Sequence, residues 1–123
     1  MGAIATSRAE LVAALAPVGV TVTDHVPEQL NPPALMVVHG SPLIEVGDTF
    51  GLHLLRLEVW IVSKLGANAR MTDDLDALIE ATIAATVVDG WSVENVAQPF
   101  SYTVGARTFL ASTVTLTTDI SLT

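Results

Sequence analysis

Cysteine is absent from the 123-residue sequence, which excludes disulfide bonds and cysteine-ligated metals as sources of stability. Basic residues are also few, because five lysines and arginines stand against thirteen aspartates and glutamates and leave a formal net charge of −8. A protein that grips nucleic-acid phosphates needs a cluster of cations. The charge balance therefore disfavours DNA or RNA binding as the main activity.

Aromatic residues make up 5% of the chain, too few to predict a stacking surface for single-stranded nucleic acid. No apolar run reaches the ~18–20 residues that a membrane-spanning helix needs. Half of the residues are nevertheless hydrophobic, and the mean hydropathy is +0.56. Two interpretations stay open: a composition rich in Ala, Val and Thr that raises hydropathy by itself, or apolar surface buried between copies of the chain.

Motifs for catalysis and nucleotide binding are missing as well. The segment His39-Gly40-Ser41 lacks the G-x-S-x-G frame of a nucleophile elbow, and neither a P-loop nor a dinucleotide fingerprint occurs. The histidines, His25, His39 and His53, are isolated, whereas a zinc site usually takes two ligands from one local motif. We therefore expect no catalytic residue, no metal and no cofactor, and interpret the histidines as structural or surface residues.

The N-terminal sequence MGAIATSRAE lacks the basic-then-apolar layout of a signal peptide, so we expect an intracellular product. The length predicts a single domain over residues 1–123, large enough to bury about two-thirds of its unfolded surface.

Two periodic stretches define the centre of the predicted fold. In Leu52–Ser63 apolar residues alternate with Arg56, Glu58 and Trp60, which predicts a strand with one buried and one mixed face. After a short polar loop the spacing becomes helical, which predicts an amphipathic helix with Thr72 as its N-cap. The apolar stripe of this helix consists of Leu75, Leu78, Ile79, Thr82, Ile83, Thr86 and Val87.

Three carboxylates, Asp73, Asp74 and Asp76, fall in the predicted first turn of this helix. We interpret them as favourable partners of the helix dipole, an effect of about 0.3–1 kcal/mol each. The alternative is a small enzyme that uses Asp73, Asp74 and a histidine around a metal ion.

Small residues occupy the other side of the same helix: Ala77, Ala81, Ala84 and Ala85. We expect this side to lie against another helix or at a subunit interface. The alternative is helix propensity alone, since Ala is the best helix former.

The rest of the chain predicts one further helix, opened by a capping box at Ser7–Glu10, and a set of strands. Gly40-Ser41-Pro42 is expected to break one of these strands, and Gly47–Gly51 to form a hairpin tip. The predicted strands are Val20–Thr23, Ala34–His39, Leu43–Val46, Trp91–Val96, Phe100–Val104 and Arg107–Ile120. The predicted fold class is α+β: a mixed or antiparallel sheet with long central strands packed by two helices, in the order α-β-β-β-α-β-β-β.

Three segments of the chain carry a family resemblance: the strand LHLLRLEVWIVSK (Leu52–Lys64), the helix TDDLDALIEATIAATV (Thr72–Val87) and the closing strand RTFLASTVTLTTDI (Arg107–Ile120). Their order resembles that of the tail terminator proteins of long-tailed bacteriophages. The resemblance implies a domain that assembles as a ring, commonly of six copies, on the last ring of the tail tube. Such a ring stops tail elongation and presents the surface that joins the DNA-filled head.

The implied partners are other copies of the chain, the tail tube protein and a head–tail connector or head-completion protein. The implied location is the virion tail or neck, after assembly in the host cytoplasm and without a membrane. Genomic DNA is expected to pass through the ring without specific binding, along an acidic lining formed by Glu45, Asp48 and Glu58. At the hairpin tip Asp48, Thr49 and Phe50 are expected to contact a neighbouring subunit or the tube.

Two other functions remain open at this point. One is a different neck or head-completion protein of the same virion. The other is a monomeric binding module that adds the strand within Leu43–Gly51 to a partner.

Overall fold

A mixed sheet of six strands, with both α-helices packed on one face, forms the framework of the domain. The computed structural model describes residues 2–25, 31–47, 51–63, 68–104 and 106–121. Within these ranges the order α-β-β-β-α-β-β-β is confirmed, with a short 3₁₀ helix after the first helix. The bounds are α1 Ala3–Ala14, the 3₁₀ helix Ala16–Val18, β1 Thr21–Thr23, β2 Ala34–Val46, β3 His53–Ser63, α2 Asn68–Val88, β4 Ser92–Val96, β5 Phe100–Val104 and β6 Arg107–Ile120.

Strands β3 and β6 form the centre of the sheet. They pair in antiparallel register along the whole of β3, from His53 opposite Ile120 to Ser63 opposite Leu110. Strand β2 lies on the other side of β3, and the short β1 pairs with the start of β2 as the sheet's single parallel pair among the described residues. Strands β4 and β5 both pair with β6, one after the other along its outer side.

The main core lies between the sheet and the helices. Leu55, Leu57, Val59 and Ile61 alternate along β3 and are all fully buried there, as their spacing predicts. Their partners in this core include Leu11, Leu15, Leu35, Val37, Leu75, Trp91, Val114 and Leu116. Each fully buried side chain of this kind stabilises the fold by roughly 1.5–3 kcal/mol.

Helix α2 turns most of its predicted stripe toward the sheet. Thr82 and Thr86 are buried, and their hydroxyls donate to the carbonyls of Leu78 and Thr82, so neither hydroxyl is left unpaired. The prediction that Val87 belongs to the core is wrong, because its side chain is 53% exposed. In the last turn of the helix the stripe has rotated away from the sheet.

Both predicted helix starts are wrong. Helix α1 begins at Ala3 with Gly2 as its N-cap, so Ser7 and Glu10 lie inside it and form no capping box. The helix extends upstream because Ile4 packs on the core. Helix α2 begins at Asn68, so Thr72 is not its N-cap.

The earlier start of α2 changes the role of its carboxylates. Asp73, Asp74 and Asp76 lie beyond the first turn, which contains no acidic residue. The dipole interaction falls off within that first turn, so it does not explain these aspartates. All three side chains are exposed.

The predicted break at Gly40-Ser41-Pro42 is instead a large β-bulge within one continuous strand. His39 pairs with Leu57 and Ile44 pairs with Leu55, so the four residues from Gly40 to Leu43 lie opposite the single residue Arg56. Three extra residues are an odd number, so the alternation of side chains reverses across the bulge. Glu45 consequently lies on the same face of the sheet as Arg56.

The two hairpins differ in how far they extend. The β2–β3 ladder ends at Val46 and His53, level with Ile120 of β6, while Asp48, Thr49 and Phe50 lie outside the described residues. The β5–β6 hairpin pairs as far as Val104 and Arg107. It thus continues three residues, about 10 Å, past the pairing partner of Ser63 at the end of β3.

In the described part of the chain, neither helix is long and apolar enough to cross a membrane.

Gly40→Ala should destabilise the domain by about 2 kcal/mol or more, as overpacking does. A Cβ at this position would lie 2.5 Å from Cγ of Arg56 and 2.7 Å from its carbonyl oxygen, so the bulge would have to move. Urea unfolding followed by circular dichroism measures the loss. The exposed neighbour substitution Ser41→Ala should stay within about 0.5 kcal/mol of wild type. Equal effects of the two changes would contradict the close approach of Gly40 to Arg56.

Candidate functional site

The sheet face opposite the helices, called the uncovered face below, carries the charged residues of the two central strands and three threonines of β6. Its central members are Arg56, Glu58, Trp60, Thr113, Thr115 and Thr117. The alternation that buries the leucines of β3 on one side places these residues on the other. The three threonines of β6 form a row on this face, and Thr115 and Thr117 are buried beneath neighbouring side chains.

Arg56 is the centre of an ion triad with Glu45 and Glu94. Its Nε donates to both oxygens of Glu94, at 3.0 and 3.1 Å, and its Nη2 donates to Oε2 of Glu94 at 2.7 Å. Its Nη1 donates to Oε1 of Glu45 and, at 2.9 Å, to the carbonyl of Pro42 in the bulge. One side chain therefore ties β2, β3 and β4 together.

Burial and pairing fix the charge state of this arginine. Arg56 is only 7% exposed, and hydrogen bonds with Glu94 and then Glu45 raise its pKa above the ordinary value. It stays protonated throughout the physiological pH range. The triad as a whole carries one negative charge, so Arg56 is not available to bind phosphate.

An aromatic cluster closes the other end of the uncovered face. Trp60 contacts Phe100 and Tyr102 edge-on, with ring centroids 5.6 and 5.4 Å apart. Beneath these rings lies a second small core of Ala34, Met36, Val62, Phe109 and Ala111. Such edge-to-face pairs add about 0.5–1.5 kcal/mol to ordinary burial.

The sequence did not predict this cluster, because its low aromatic content argued only against a stacking surface for single-stranded nucleic acid and carried no information on where the aromatic residues meet. Four of the six aromatic residues converge here. Phe100 and Tyr102 occupy alternate positions of β5, and the register of β5 with β6 places them beside Phe109 and Trp60. The amino-acid composition contains no information about strand register.

Two of the three residues of the predicted acidic lining, Glu45 and Glu58, lie on one face of the sheet, and each bonds to a side chain of its own chain. Glu45 binds Arg56, and Oε1 of Glu58 accepts a hydrogen bond from the indole Nε1 of Trp60 at 3.1 Å. Asp48 lies outside the described residues. That these residues line a channel stays a prediction.

The alanine side of α2 borders two depressions on the helix layer. Ala81, Ala84 and Ala85 line an apolar groove of about 450 Å³, here called the alanine groove, with Ala14, Pro17, Val18 and Val88. Ala77 and Ala81 line a cavity of about 370 Å³, here called the Ser63 cavity, with Val18, Pro33, Ser63, Asp74 and Leu78. Val88, at the end of the groove, is 89% exposed. The predicted interface role of the alanines stays a prediction.

The three histidines lie apart and have different surroundings. His25 bonds to the carboxylate of Asp24 at 2.9 Å, which lowers the pKa of that exposed aspartate. Nη1 of Arg8 donates a hydrogen bond to Nε2 of His39 at 2.9 Å, since a guanidinium only donates. Within the described ranges no three histidine, aspartate or glutamate side chains are grouped as metal ligands would be.

Comparison with protein-family models and with curated proteins gives no match for this chain. The features of this chain that bear on its function are the uncovered face and the helix layer.

Glu94→Ala should destabilise the domain by about 2–3 kcal/mol, because it removes three of the five hydrogen bonds of the buried guanidinium and one of its two carboxylates. This loss of stability is smaller than the loss expected on breaking a fully buried ion pair. The side chains of Glu45 and Glu94 are 44% and 39% exposed, so solvent screens their charges. Urea unfolding gives the value, and Asp119→Ala, an exposed carboxylate change on the same sheet, serves as the control. Adding Glu94→Ala to Arg56→Met should cost less than the sum of the two single changes. Additive losses would show that the two groups are not coupled.

Proposed function

We propose that the chain is a structural subunit of a phage tail, a tail terminator that forms a ring on the end of the tail tube and joins it to the head. One observation carries the proposal. The sheet has an uncovered face with carboxylates and threonine hydroxyls beside its aromatic cluster, and the opposite layer has an exposed apolar groove. A ring needs these two kinds of surface, one toward the channel and one toward other proteins.

The uncovered face supports a channel lining through its charge. Glu45, Glu58, Glu94 and Asp119 all belong to this face or its margin, while its buried cation, Arg56, is neutralised. Duplex DNA carries a charge about every 1.7 Å, and the exposed cation that the described residues add to this face is Arg107, at its margin. A face on which carboxylates outnumber such cations gives DNA little counterion-release gain. DNA can then move past the face without being held.

The helix layer supports association between copies. Val87 and Val88 are exposed beside the alanine groove, in a chain whose net charge is −8. Exposed apolar surface of this kind is typical of protein interfaces. Because the groove walls are alanine, proline and valine, a neighbouring chain can approach them closely.

The strand-adding alternative is weaker on this structure. The strand it would use, β2, carries the large bulge and Pro42 along its outer edge. Bulges and prolines are the features with which proteins prevent strand addition at a sheet edge.

The direct test is to assemble tail tube protein in vitro with and without the purified chain. We expect ring-shaped caps in electron micrographs and an arrest of tube growth. Ala81→Glu should abolish capping, because it places a charge in the alanine groove, while its thermal unfolding stays close to wild type. Ala9→Glu, the same change at an exposed position of α1, is the matched control and should cap normally. Full capping by Ala81→Glu would show that the groove is only solvated surface.

A gel-shift titration with duplex DNA at low salt tests the channel assignment. We expect no retained complex, because weak electrostatic binding would be strongest under this condition. Saturable binding that weakens steeply with added salt would contradict a lining that releases DNA.

A further inference from the structure

Strand β5 is the part of the sheet edge that nothing blocks against the addition of another strand. Its five residues, Phe100–Val104, carry no charge, and it pairs with β6 without a register shift. No other described strand pairs with its outer side. The main-chain N–H and C=O groups along such an edge form a template for a strand of another chain.

The other outer strands have features that prevent this pairing. Strand β1 is only three residues long, and β2 has the large bulge with Pro42. In β4, Glu94 is an extra residue between Val93 and Asn95 and forms a second bulge. Short strands, bulges, prolines and charged residues all protect sheet edges. Among the described edge strands, β5 has none of these features, so it is the edge left open.

Ser101 and Thr103 turn their main-chain groups toward this open edge. The carbonyl of Thr113 accepts a hydrogen bond from the N–H of Ala97 at 2.8 Å, so the odd-numbered residues of β6 direct their main-chain groups toward β4 and β5. Tyr102 lies opposite one of these odd-numbered residues and is hydrogen-bonded to it. The alternation of an antiparallel ladder leaves the N–H and C=O groups of Ser101 and Thr103 on the outer side.

The distribution of charge favours the same edge as the place where two copies meet. The longest stretch without a carboxylate is the 24 residues from Asn95 to Thr118, which include β5 and most of β6. Copies of a chain with a net charge of −8 repel one another. The repulsion is smaller where the meeting segments carry no carboxylate.

The side chains of β5 also match those of a second β5 in antiparallel orientation. With Tyr102 opposite Tyr102 of the second copy, Ser101 lies opposite Thr103. Each Ser101–Thr103 pair exchanges two main-chain hydrogen bonds, so the contact has four. The two Tyr102 rings meet on the uncovered face, and the exposed serine and threonine side chains meet on the other. Aromatic pairs and Thr–Ser pairs across strands both stabilise a sheet.

We propose that β5 pairs with β5 of a second copy in antiparallel orientation, so that two sheets become one continuous sheet about a two-fold axis. The proposal goes beyond the proposed function and does not rest on it, because the contact uses no residue of the alanine groove and needs no other tail protein. It accounts for the protection of the other edges and for the open edge at β5.

Charges placed at positions 101 and 103 of the full-length chain test the pairing. S101E/T103E and S101K/T103K each put like charges opposite one another in both cross-strand pairs. Each should weaken self-association about tenfold in sedimentation velocity across a concentration series. An equimolar mixture of the two variants puts opposite charges in both pairs and should associate at least as tightly as wild type. S101K/T103E, which is complementary to itself, should do the same.

A proline substitution tests the main-chain hydrogen bonds separately. Thr103→Pro removes an N–H that no other residue of the chain uses, so the thermal unfolding of the monomer should stay close to wild type. Self-association should fall at least severalfold. Thr103→Val loses the same hydroxyl but keeps the N–H, and as the matched control it should associate normally.

Three results would each overturn the β5 contact. They are a wild-type chain that stays monomeric at every concentration, equal weakening by S101E/T103E and S101K/T103E, and no association in the mixture of oppositely charged variants. Ala81→Glu, which changes the alanine groove, should leave the pairing intact. Its loss in that variant would show that self-association depends on the groove and would also overturn the contact. Retained β5 pairing without arrest of tail tubes would support the contact and contradict only the terminator function.

Discussion

The antiparallel ladder between β3 and β6 is the interaction on which the other features of the domain depend. It holds the two strands in register along the whole of β3. The register fixes which side chains face the helices and which face away. The leucine-rich core, the ion triad, the aromatic cluster and the position of Ser63 at the strand end all follow from it. A slip of one residue would exchange the two faces and bury Arg56 and Glu58 under the helices.

The elements with strong periodicity were predictable from the sequence, and their ends were not. The alternation in β3 and β6 and the stripe on α2 identify elements, because burial on one face imposes a period. The helix starts failed for a different reason. A capping motif at Ser7–Glu10 marks the start of a helix only if the residues before it are not helical. Here the helix begins at Ala3, because Ile4 packs on the core.

The candidate site was predictable only in its simplest part. That Glu58 lies opposite the core face follows from parity within one strand. Glu45 needed the bulge, whose odd number of extra residues brings it to the same face as Arg56. Glu94 is 38 residues from Arg56 in sequence, and the unpaired hydroxyl of Ser63 depends on how α2 packs. One signal was present: an arginine in a mostly apolar strand requires carboxylate partners when it is buried.

The bulge in β2 has a consequence for how the chain tolerates changes in length. It lies between the half of the strand that belongs to the core and the half that leads to the β2–β3 turn, so a local insertion or deletion there leaves the pairing of Ala34 to His39 intact. Pairing with β3, and not the number of residues in the bulge, keeps Ile44 toward the core and Glu45 on the face of Arg56. A change in the number of bulge residues therefore alters the bulge and leaves the distal ladder in register. Homologous chains should vary in length in this segment more freely than in the stretch from Ala34 to His39.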